Sequence, residues 1–232
     1  MITRRPAGER GTSNFGWLDS RHTFSFGEYH DPRHMGFRSL RVINDDRVAG
    51  GAGFGRHPHR DMEIFTYVLE GALRHEDSLG TGSTVGAGEV QKMTAGTGIL
   101  HSELNPSPTQ PLHFLQVWIL PERKGLPPSY DQRTFSDADK RGQLKLIGSR
   151  DGRDGSIGFQ QDVSIFASIL GAGETIRGTI AAGRGAWVQV ARGSVTANGV
   201  RLHEGDGAEL VDEPDVALAG VSEAEVLLFD LA

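Results

Sequence analysis

Four side chains that could bind a metal occur in the sequence as two pairs, each with one residue between its members. The pairs are His57 with His59 and His101 with Glu103, and His101 follows His59 by 42 positions. In a β-strand, residues i and i+2 project from the same face, whereas a helix would separate them by about 200°. If the two strands are neighbours, three imidazoles and one carboxylate converge. That donor set suits a first-row divalent metal such as iron, copper, nickel, manganese or zinc.

One further carboxylate and several other histidines require an assignment. Glu63 follows the first pair closely and is a rival candidate for the carboxylate ligand. His22, His30 and His34 lie outside both pairs, and we expect them at the surface or behind the ligands. His203 stands alone beside a turn and is predicted to be exposed.

The elements that must position these side chains are predicted to be short strands separated by turns. The 232 residues include 32 glycines, and 37% of the residues are hydrophobic. Residues 40–44, 64–70 and 113–120 have the composition of strands and are bounded by residues that favour turns. A turn about every 8 to 12 residues is typical of a β-sandwich or barrel, so the sequence predicts an all-β fold.

The second half of the chain repeats the pattern of the first. Residues 65–73 align with residues 187–195, and Asn198 with Gly199 predicts a hairpin turn after them. In this alignment His57 and His59 correspond to Thr179 and Ala181, which cannot replace imidazole ligands. The second repeat is therefore predicted to lack the metal site.

A polar segment separates the two repeats. Residues 121–155 are charged and rich in glycine and proline, which is typical of a linker. We therefore predict a metal-binding domain at residues 1–135 and a second domain without metal ligands at residues 136–232.

The composition argues against several classes of partner. The formal net charge is −6, so no basic surface for nucleic acid or an anionic membrane is expected. The chain has no cysteine, which excludes disulfides and thiolate-bound zinc. Residues 1–6 lead into no apolar segment, and no apolar run approaches the roughly 20 residues of a membrane span. The expected location is the cytoplasm.

The segments around the two pairs also resemble a known family. The resemblance is carried by five segments: His22–Phe26, Leu40–Asn44, His57–Glu63, Met93–Gly96 and Gly98–Glu103. They resemble the pirin family, in which two jelly-roll (cupin) barrels follow one another as a bicupin. The His57–Glu63 segment, together with the ending Val226–Leu231, is most similar to bacterial pirin-like quercetin 2,3-dioxygenases.

The resemblance implies an activity and assigns the ligands. It implies cleavage of the heterocyclic ring of flavonols such as quercetin with O₂ and release of CO. The implied metal ligands are His57, His59, His101 and Glu103, which makes Glu63 a residue that orients an imidazole rather than a ligand. Glu103 is either a ligand only or both ligand and base for the flavonol 3-hydroxyl. The expected ion is Fe(II), with Cu, Ni, Mn or Zn as alternatives.

Other properties stay open at this point. Candidates for the apolar wall of a substrate pocket are Phe54, Phe65, Met93 and Trp118, with ordinary core packing as the alternative. Some pirin-family members are associated with transcription-factor partners, so a metal- or redox-dependent interaction protein without turnover is the competing function. Two barrels in one chain can supply the pairing that single cupins reach as dimers, so we expect a monomer.

Overall fold

The computed structural model describes residues 1–232, and nearly all of its regular secondary structure is β-strand. The strands are β1 (Ile2–Arg5), β2 (Gly11–Asn14), β3 (Leu18–His22), β4 (Leu40–Val48), β5 (Gly53–His59), β6 (Glu63–Glu70), β7 (Ala72–Asp77), β8 (Gly82–Gly86), β9 (Glu89–Thr94), β10 (Ile99–Leu104), β11 (Leu112–Ile119), β12 (Ser129–Thr134), β13 (Lys145–Ser149), β14 (Ile157–Gly158), β15 (Val163–Leu170), β16 (Thr175–Thr179), β17 (Gly185–Arg192), β18 (Ser194–Ala197), β19 (Val200–His203), β20 (Gly207–Val211), β21 (Asp215–Gly220) and β22 (Ala224–Leu231). The helical segments are α1 (Asp137–Lys140) and two 3₁₀ turns, Ala7–Glu9 and Arg153–Gly155. The predicted all-β class is confirmed.

The chain forms two compact units. The N-terminal unit contains residues 11–36 and 40–134, and the C-terminal unit contains residues 1–10, 37–39 and 135–232. Strand β1 pairs with β20 and therefore belongs to the C-terminal unit, although the sequence prediction placed it in the first domain. The predicted domain limits at residues 135 and 136 stay a prediction.

Each unit contains a seven-stranded sheet and a four-stranded sheet of the same design. In the N-terminal unit the orders are β12-β9-β6-β11-β4-β3-β2 and β5-β10-β7-β8. In the C-terminal unit they are β1-β20-β17-β22-β15-β13-β14 and β16-β21-β18-β19. Strands β5 and β16 thus hold equivalent places, as do β10 and β21, which is the repeat that the sequence alignment predicted.

The core of the N-terminal unit lies between its two sheets. Leu73 and Val85 of the four-stranded sheet pack with Val68, Leu112 and Phe114 of the seven-stranded sheet, and all five are fully or nearly fully buried. Alternating apolar residues produce this layer because successive side chains of a strand point to opposite faces. The polar residues that remain inside the unit are therefore exceptional and need partners.

Glycine is required where the strands of each unit reverse. Gly71, between β6 and β7, has a φ of +76°, and a Cβ there would lie 2.7 Å from the carbonyl oxygen of Pro111. Gly193, at the equivalent turn between β17 and β18, has a φ of +72°. The alignment of residues 65–73 with 187–195 thus places both glycines at one kind of turn.

The helices in this structure are short. None of them is long and apolar enough to cross a membrane.

Candidate metal centre

Strands β5 and β10 are neighbours, and this places the three predicted imidazole ligands together. Across the two strands His57 lies opposite His101, and His59 lies opposite Ile99. The ligand nitrogens of His57, His59 and His101 all lie within 4.8 Å of one another. Strand pairing thus brings His101 beside the first pair, 42 positions after His59 in the sequence.

An irregularity in this pairing decides what else faces the same space. The register shifts between His101 and Glu103, so that Glu103 lies opposite Phe54 and β5 carries one residue more than β10. Phe54 and His57 are three residues apart and would point to opposite faces of a regular strand. Because of the bulge, both line the same cavity.

The fourth predicted ligand, Glu103, is buried and firmly held. It forms a second, overlapping group with His101 and His75, whose ligand atoms also lie within 4.8 Å of one another. Its Oε1 accepts a hydrogen bond from Gln91 Nε2 at 2.8 Å, and its Oε2 accepts one from Gln116 Nε2 at 2.8 Å. Amide donors of this kind fix the carboxylate in one orientation.

The donors to Glu103 belong to one row across the seven-stranded sheet. Thr66 of β6 lies directly opposite Gln91 of β9 on one side and Gln116 of β11 on the other. The Thr66 hydroxyl donates to Gln116 Oε1 at 2.8 Å, which turns the amide nitrogen of Gln116 toward Glu103. Sequence reasoning missed this row, although each member is a polar residue inside an otherwise apolar strand, and that was the available signal.

Two of the imidazoles, those of His59 and His101, are held neutral, as metal ligands must be. Burial, together with the neighbouring His57, lowers the pKa of His59 to about 4. Burial, followed by His57, His59 and His75, lowers the pKa of His101 to about 2. His57 Nδ1 donates to the Gly55 carbonyl at 2.8 Å, which leaves Nε2, 3.0 Å from His101 Nε2, as the nitrogen that can face a metal.

Glu103 complements these neutral donors. Burial and the nearby Asp46 raise its pKa to about 7, against the opposing effect of the hydrogen bonds from Gln116 and Gln91. A cation beside this carboxylate would offset the cost of burying its charge. Convergent neutral imidazoles and a buried carboxyl group together fit a divalent transition metal, and they leave coordination positions for a further molecule.

A cavity of about 350 Å³ adjoins these residues. Its lining includes three of the four predicted ligands together with polar and aromatic side chains: Ser13, Phe15, Leu18, Ser20, His22, Phe26, Asn44, Asp46, Phe54, His57, His59, Glu103, Gln116 and Trp118. The Trp118 ring meets His59 edge-on, with ring centroids 5.0 Å apart. Of the four wall candidates, Phe54 and Trp118 line this cavity, while Phe65 and Met93 are fully buried.

The remaining histidines occupy different surroundings. His22 is buried and lines the cavity, with Nδ1 2.8 Å from Asn44 Oδ1. His30 and His203 are exposed, and His34 is half-buried. The prediction for His203 is confirmed.

Glu63 forms an ion pair inside the N-terminal unit. Its Oε2 lies 3.0 Å from Lys92 Nζ, and both side chains are almost completely buried. Its predicted role in orienting an imidazole stays a prediction.

His75 is a further residue near the site that sequence reasoning missed. It is fully buried on β7, and its Nδ1 lies 3.5 Å from His101 Nδ1. The available signal was the spacing rule that applies to the ligands, because His75 and Asp77 are also two residues apart on a strand.

Asp46 should make the stability of the protein depend on pH. Burial is the main cause that raises its pKa from 3.8 to about 7. The unfolded chain then releases this proton more readily than the folded protein, so stability is lost as the pH rises from about 4 to about 7. Asparagine has no proton to lose, so the Asp46→Asn variant should escape this loss. In urea unfolding, the free energy of the variant minus that of wild type should rise by about 2–4 kcal/mol between pH 4 and pH 8. Parallel pH profiles for the two proteins would contradict this assignment.

Comparison with known proteins agrees with this geometry. Residues 3–119 match the pirin family, and residues 146–231 match the family described as the quercetinase C-terminal cupin domain. The chain is 53% identical over 231 residues to the quercetin 2,3-dioxygenase of Escherichia coli K12, covering 100% of this chain and 99% of that protein. It is 39% identical over 233 residues to a pirin-like protein of Caulobacter vibrioides, with 100% of both chains covered.

A solved structure shows the same fold. The crystal structure of the bacterial pirin YhhW of Escherichia coli in complex with nickel(II) matches with a TM-score of 0.95 and 52% identity, covering 100% of this chain and 99% of that chain. Two matched cupin domains and two sheet pairs of equal design confirm the predicted bicupin architecture. The chain therefore belongs to the pirin family of bicupin proteins.

Proposed function

We propose that this protein is a metal-dependent dioxygenase that cleaves the heterocyclic ring of flavonols such as quercetin with O₂ and releases CO. The observation that carries the proposal is the cluster of His57, His59 and His101, of which His57 and His59 line a cavity with aromatic walls. The proposal is supported by relatives named quercetin 2,3-dioxygenase at 53% identity.

The proposed metal ligands are His57, His59, His101 and Glu103. Three neutral imidazoles and one carboxylate leave a divalent ion with about one net positive charge. When bound, the metal supplies a Lewis acid that holds a flavonol as its 3-oxyanion. Fe(II) is the ion we propose, and nickel in the YhhW crystal structure shows that a close relative accepts another divalent metal.

The cavity has the size and the surface for a planar aromatic substrate. A volume of about 350 Å³ lies within the range of roughly 300–1,000 Å³ that is usual for small-molecule sites. Phe26, Phe54 and Trp118 supply apolar surface, which excludes water from the reacting ring. Asn44 and His22, on the same polar row as Gln116, provide hydrogen-bonding groups at another part of the lining.

Glu103 is the proposed base for the flavonol 3-hydroxyl as well as a ligand. It lines the cavity, and its carboxylate is held by Gln91 and Gln116. A base must come within about 2.6–3.2 Å of the proton it takes, and the proposal requires Glu103 to reach the 3-hydroxyl of a flavonol bound in the cavity that it lines.

The test is turnover with defined metals. Protein stripped of metal is reloaded separately with Fe(II), Cu(II), Ni(II), Mn(II) and Zn(II), and quercetin loss, O₂ uptake and CO release are measured together. We expect O₂ uptake and CO release in equal amounts with at least one of the first four ions. No O₂ uptake with any of them would contradict the dioxygenase and favour a metal-dependent interaction protein, the role that the name of the pirin-like relative leaves open.

Glu103→Gln tests the base. Glutamine keeps an oxygen ligand but cannot accept the 3-hydroxyl proton, so kcat should fall by about 100-fold or more at matched metal content. Glu76→Gln on β7 is the control. Because Glu76 is exposed, this variant should turn over quercetin at the wild-type rate. A Glu103→Gln variant with undiminished kcat would show that this carboxylate is not the base.

A further inference from the structure

A buried histidine and aspartate stand directly behind one of the proposed metal ligands. His75 and Asp77 lie on β7, which pairs with β10 so that Asp77 is opposite His101 and His75 is opposite Glu103. Neither side chain is exposed to solvent. Because His75 and Asp77 are two residues apart on one strand, both point to the side on which the proposed ligands lie.

Asp77 determines which nitrogen of His75 carries the proton. Its Oδ1 accepts the backbone N–H groups of Leu79 and Thr81 at 2.9 and 3.0 Å. Its Oδ2 lies 3.0 Å from His75 Nε2. A carboxylate can only accept, so Nε2 of His75 must be the N–H donor. In the neutral ring, Nδ1 of His75 is then an acceptor.

The acceptor on His75 in turn determines the form of His101. His75 Nδ1 faces His101 Nδ1 at 3.5 Å, so a hydrogen bond between them requires the proton to be on His101 Nδ1. The other nitrogen, His101 Nε2, lies 3.0 Å from His57 Nε2 within the ligand cluster. A proton on Nδ1 leaves the Nε2 lone pair free for a metal.

We propose that Asp77, acting through His75, positions the proton on His101 Nδ1 and so keeps His101 Nε2 in its metal-binding form. Asp77 and His75 are thus positioning residues for the metal site, and this inference rests on the metal site of the proposed function. Partners that orient a ligating histidine in this way contribute substantially to metal affinity.

His75 itself is not the ligand in this arrangement, although it belongs to a group that could hold a metal. Its Nε2 is engaged by Asp77 and its Nδ1 by His101. Its ring is also stacked on Tyr130, with centroids 4.7 Å apart at an angle of 28°. The inference therefore requires one Ni²⁺ per chain, and two strong sites per chain would overturn it.

Asp77→Asn is the decisive substitution because it keeps the shape and reverses the hydrogen bonding. The two backbone N–H groups will retain the amide oxygen, so the amide NH₂ takes the place of Oδ2 and donates to His75 Nε2. His75 must then carry its proton on Nδ1, which opposes a proton on His101 Nδ1. The metal-bound form of His101 loses its acceptor and meets a donor instead.

Two measurements follow this reversal. In calorimetric titrations of metal-free protein with Ni²⁺, we expect Asp77→Asn to bind about 10- to 100-fold more weakly than wild type. In ¹⁵N NMR spectra of the metal-free protein, His75 should be protonated on Nε2 in wild type and on Nδ1 in the variant. Glu76→Gln removes a neighbouring, exposed carboxylate and should match wild type in both measurements.

A second variant tests whether Asp77 acts through His75. His75→Phe retains an aromatic ring against Tyr130 and removes the acceptor for His101. In this background, Asp77→Asn should cause no further loss of Ni²⁺ affinity. If a variant folds poorly, the wild-type NMR spectrum still tests the inference, because His75 protonated on Nδ1 in wild type would overturn it. Wild-type Ni²⁺ affinity in the Asp77→Asn variant would overturn the inference. So would a loss of affinity on adding Asp77→Asn to His75→Phe that equals the loss on adding it to wild type. Wild-type protein that binds Ni²⁺ but does not turn over any flavonol would contradict the dioxygenase proposal alone.

Discussion

His101→Ala is expected to abolish both metal binding and flavonol turnover. His101 is the one residue shared by the two overlapping groups of metal-type ligands, and it lies opposite His57 across β5 and β10. The substitution removes one of the three proposed imidazole ligands. Glu103 is then the single proposed ligand that remains on β10. We expect turnover to fall by about 1,000-fold or more, equivalent to about 4 kcal/mol of transition-state stabilisation.

The measurement needs a metal analysis beside the kinetics. Bound metal per chain should fall from about one to near zero, and quercetin-dependent O₂ uptake should fall to the level of the stripped protein. His203→Ala is the matched control, since His203 is an exposed histidine of the C-terminal unit. Circular dichroism should show the same β-sheet spectrum for all three proteins. Wild-type turnover in folded His101→Ala protein would contradict the assignment of the site.

Lys92→Met is expected to destabilise the protein by about 3–5 kcal/mol. Lys92 Nζ lies 3.0 Å from Glu63 Oε2 and also donates to Thr94 Oγ1 at 2.6 Å, and its side chain is only 4% exposed. Removing the ammonium leaves the Glu63 carboxylate in the interior without its cation. The cost of that buried charge, more than the loss of attraction, accounts for the expected size of the effect.

A double variant separates these two contributions. Lys92→Met with Glu63→Gln removes both charges, so urea unfolding should show recovery of more than half of the lost stability. The solvent-accessible pair of Arg133 with Asp131, 2.7 Å apart, provides the comparison. Arg133→Met should cost less than about 1 kcal/mol because solvent screens that pair. Equal losses for Lys92→Met and Arg133→Met would show that burial does not govern the Lys92 pair.

The sequence predicts the local geometry of the site well because strand periodicity is a local property. Spacing by two residues is enough to predict that His57 shares a strand face with His59, and His101 with Glu103. His75 and Asp77 follow the same spacing rule. Spacing alone does not tell which of these pairs share one site, because that depends on which strands are neighbours.

Other features depend on strand register, which local sequence does not determine. The alignment of Gln91, Thr66 and Gln116 across three strands follows from two pairings, one between residues 25 positions apart and one between residues 50 positions apart. The pairing of β1 with β20 joins residues separated by about two hundred positions. Both depend on which long-range packing has the lowest free energy, and the hydrophobic pattern of one segment is compatible with several partners.

The bulge in β5 has a consequence for how the substrate range of this protein can change. Phe54 and His57 share a side of the sheet only because β5 is one residue longer than its partner there. Replacing Phe54 by another side chain alters the shape of the binding space and leaves the imidazoles in place. Losing or gaining one residue between the two would turn either the aromatic ring or both histidines of β5 toward the opposite face. Substitutions at Phe54 that keep the length of β5 can therefore change the specificity of the proposed site. Insertions or deletions between Phe54 and His57 would disrupt the proposed metal site.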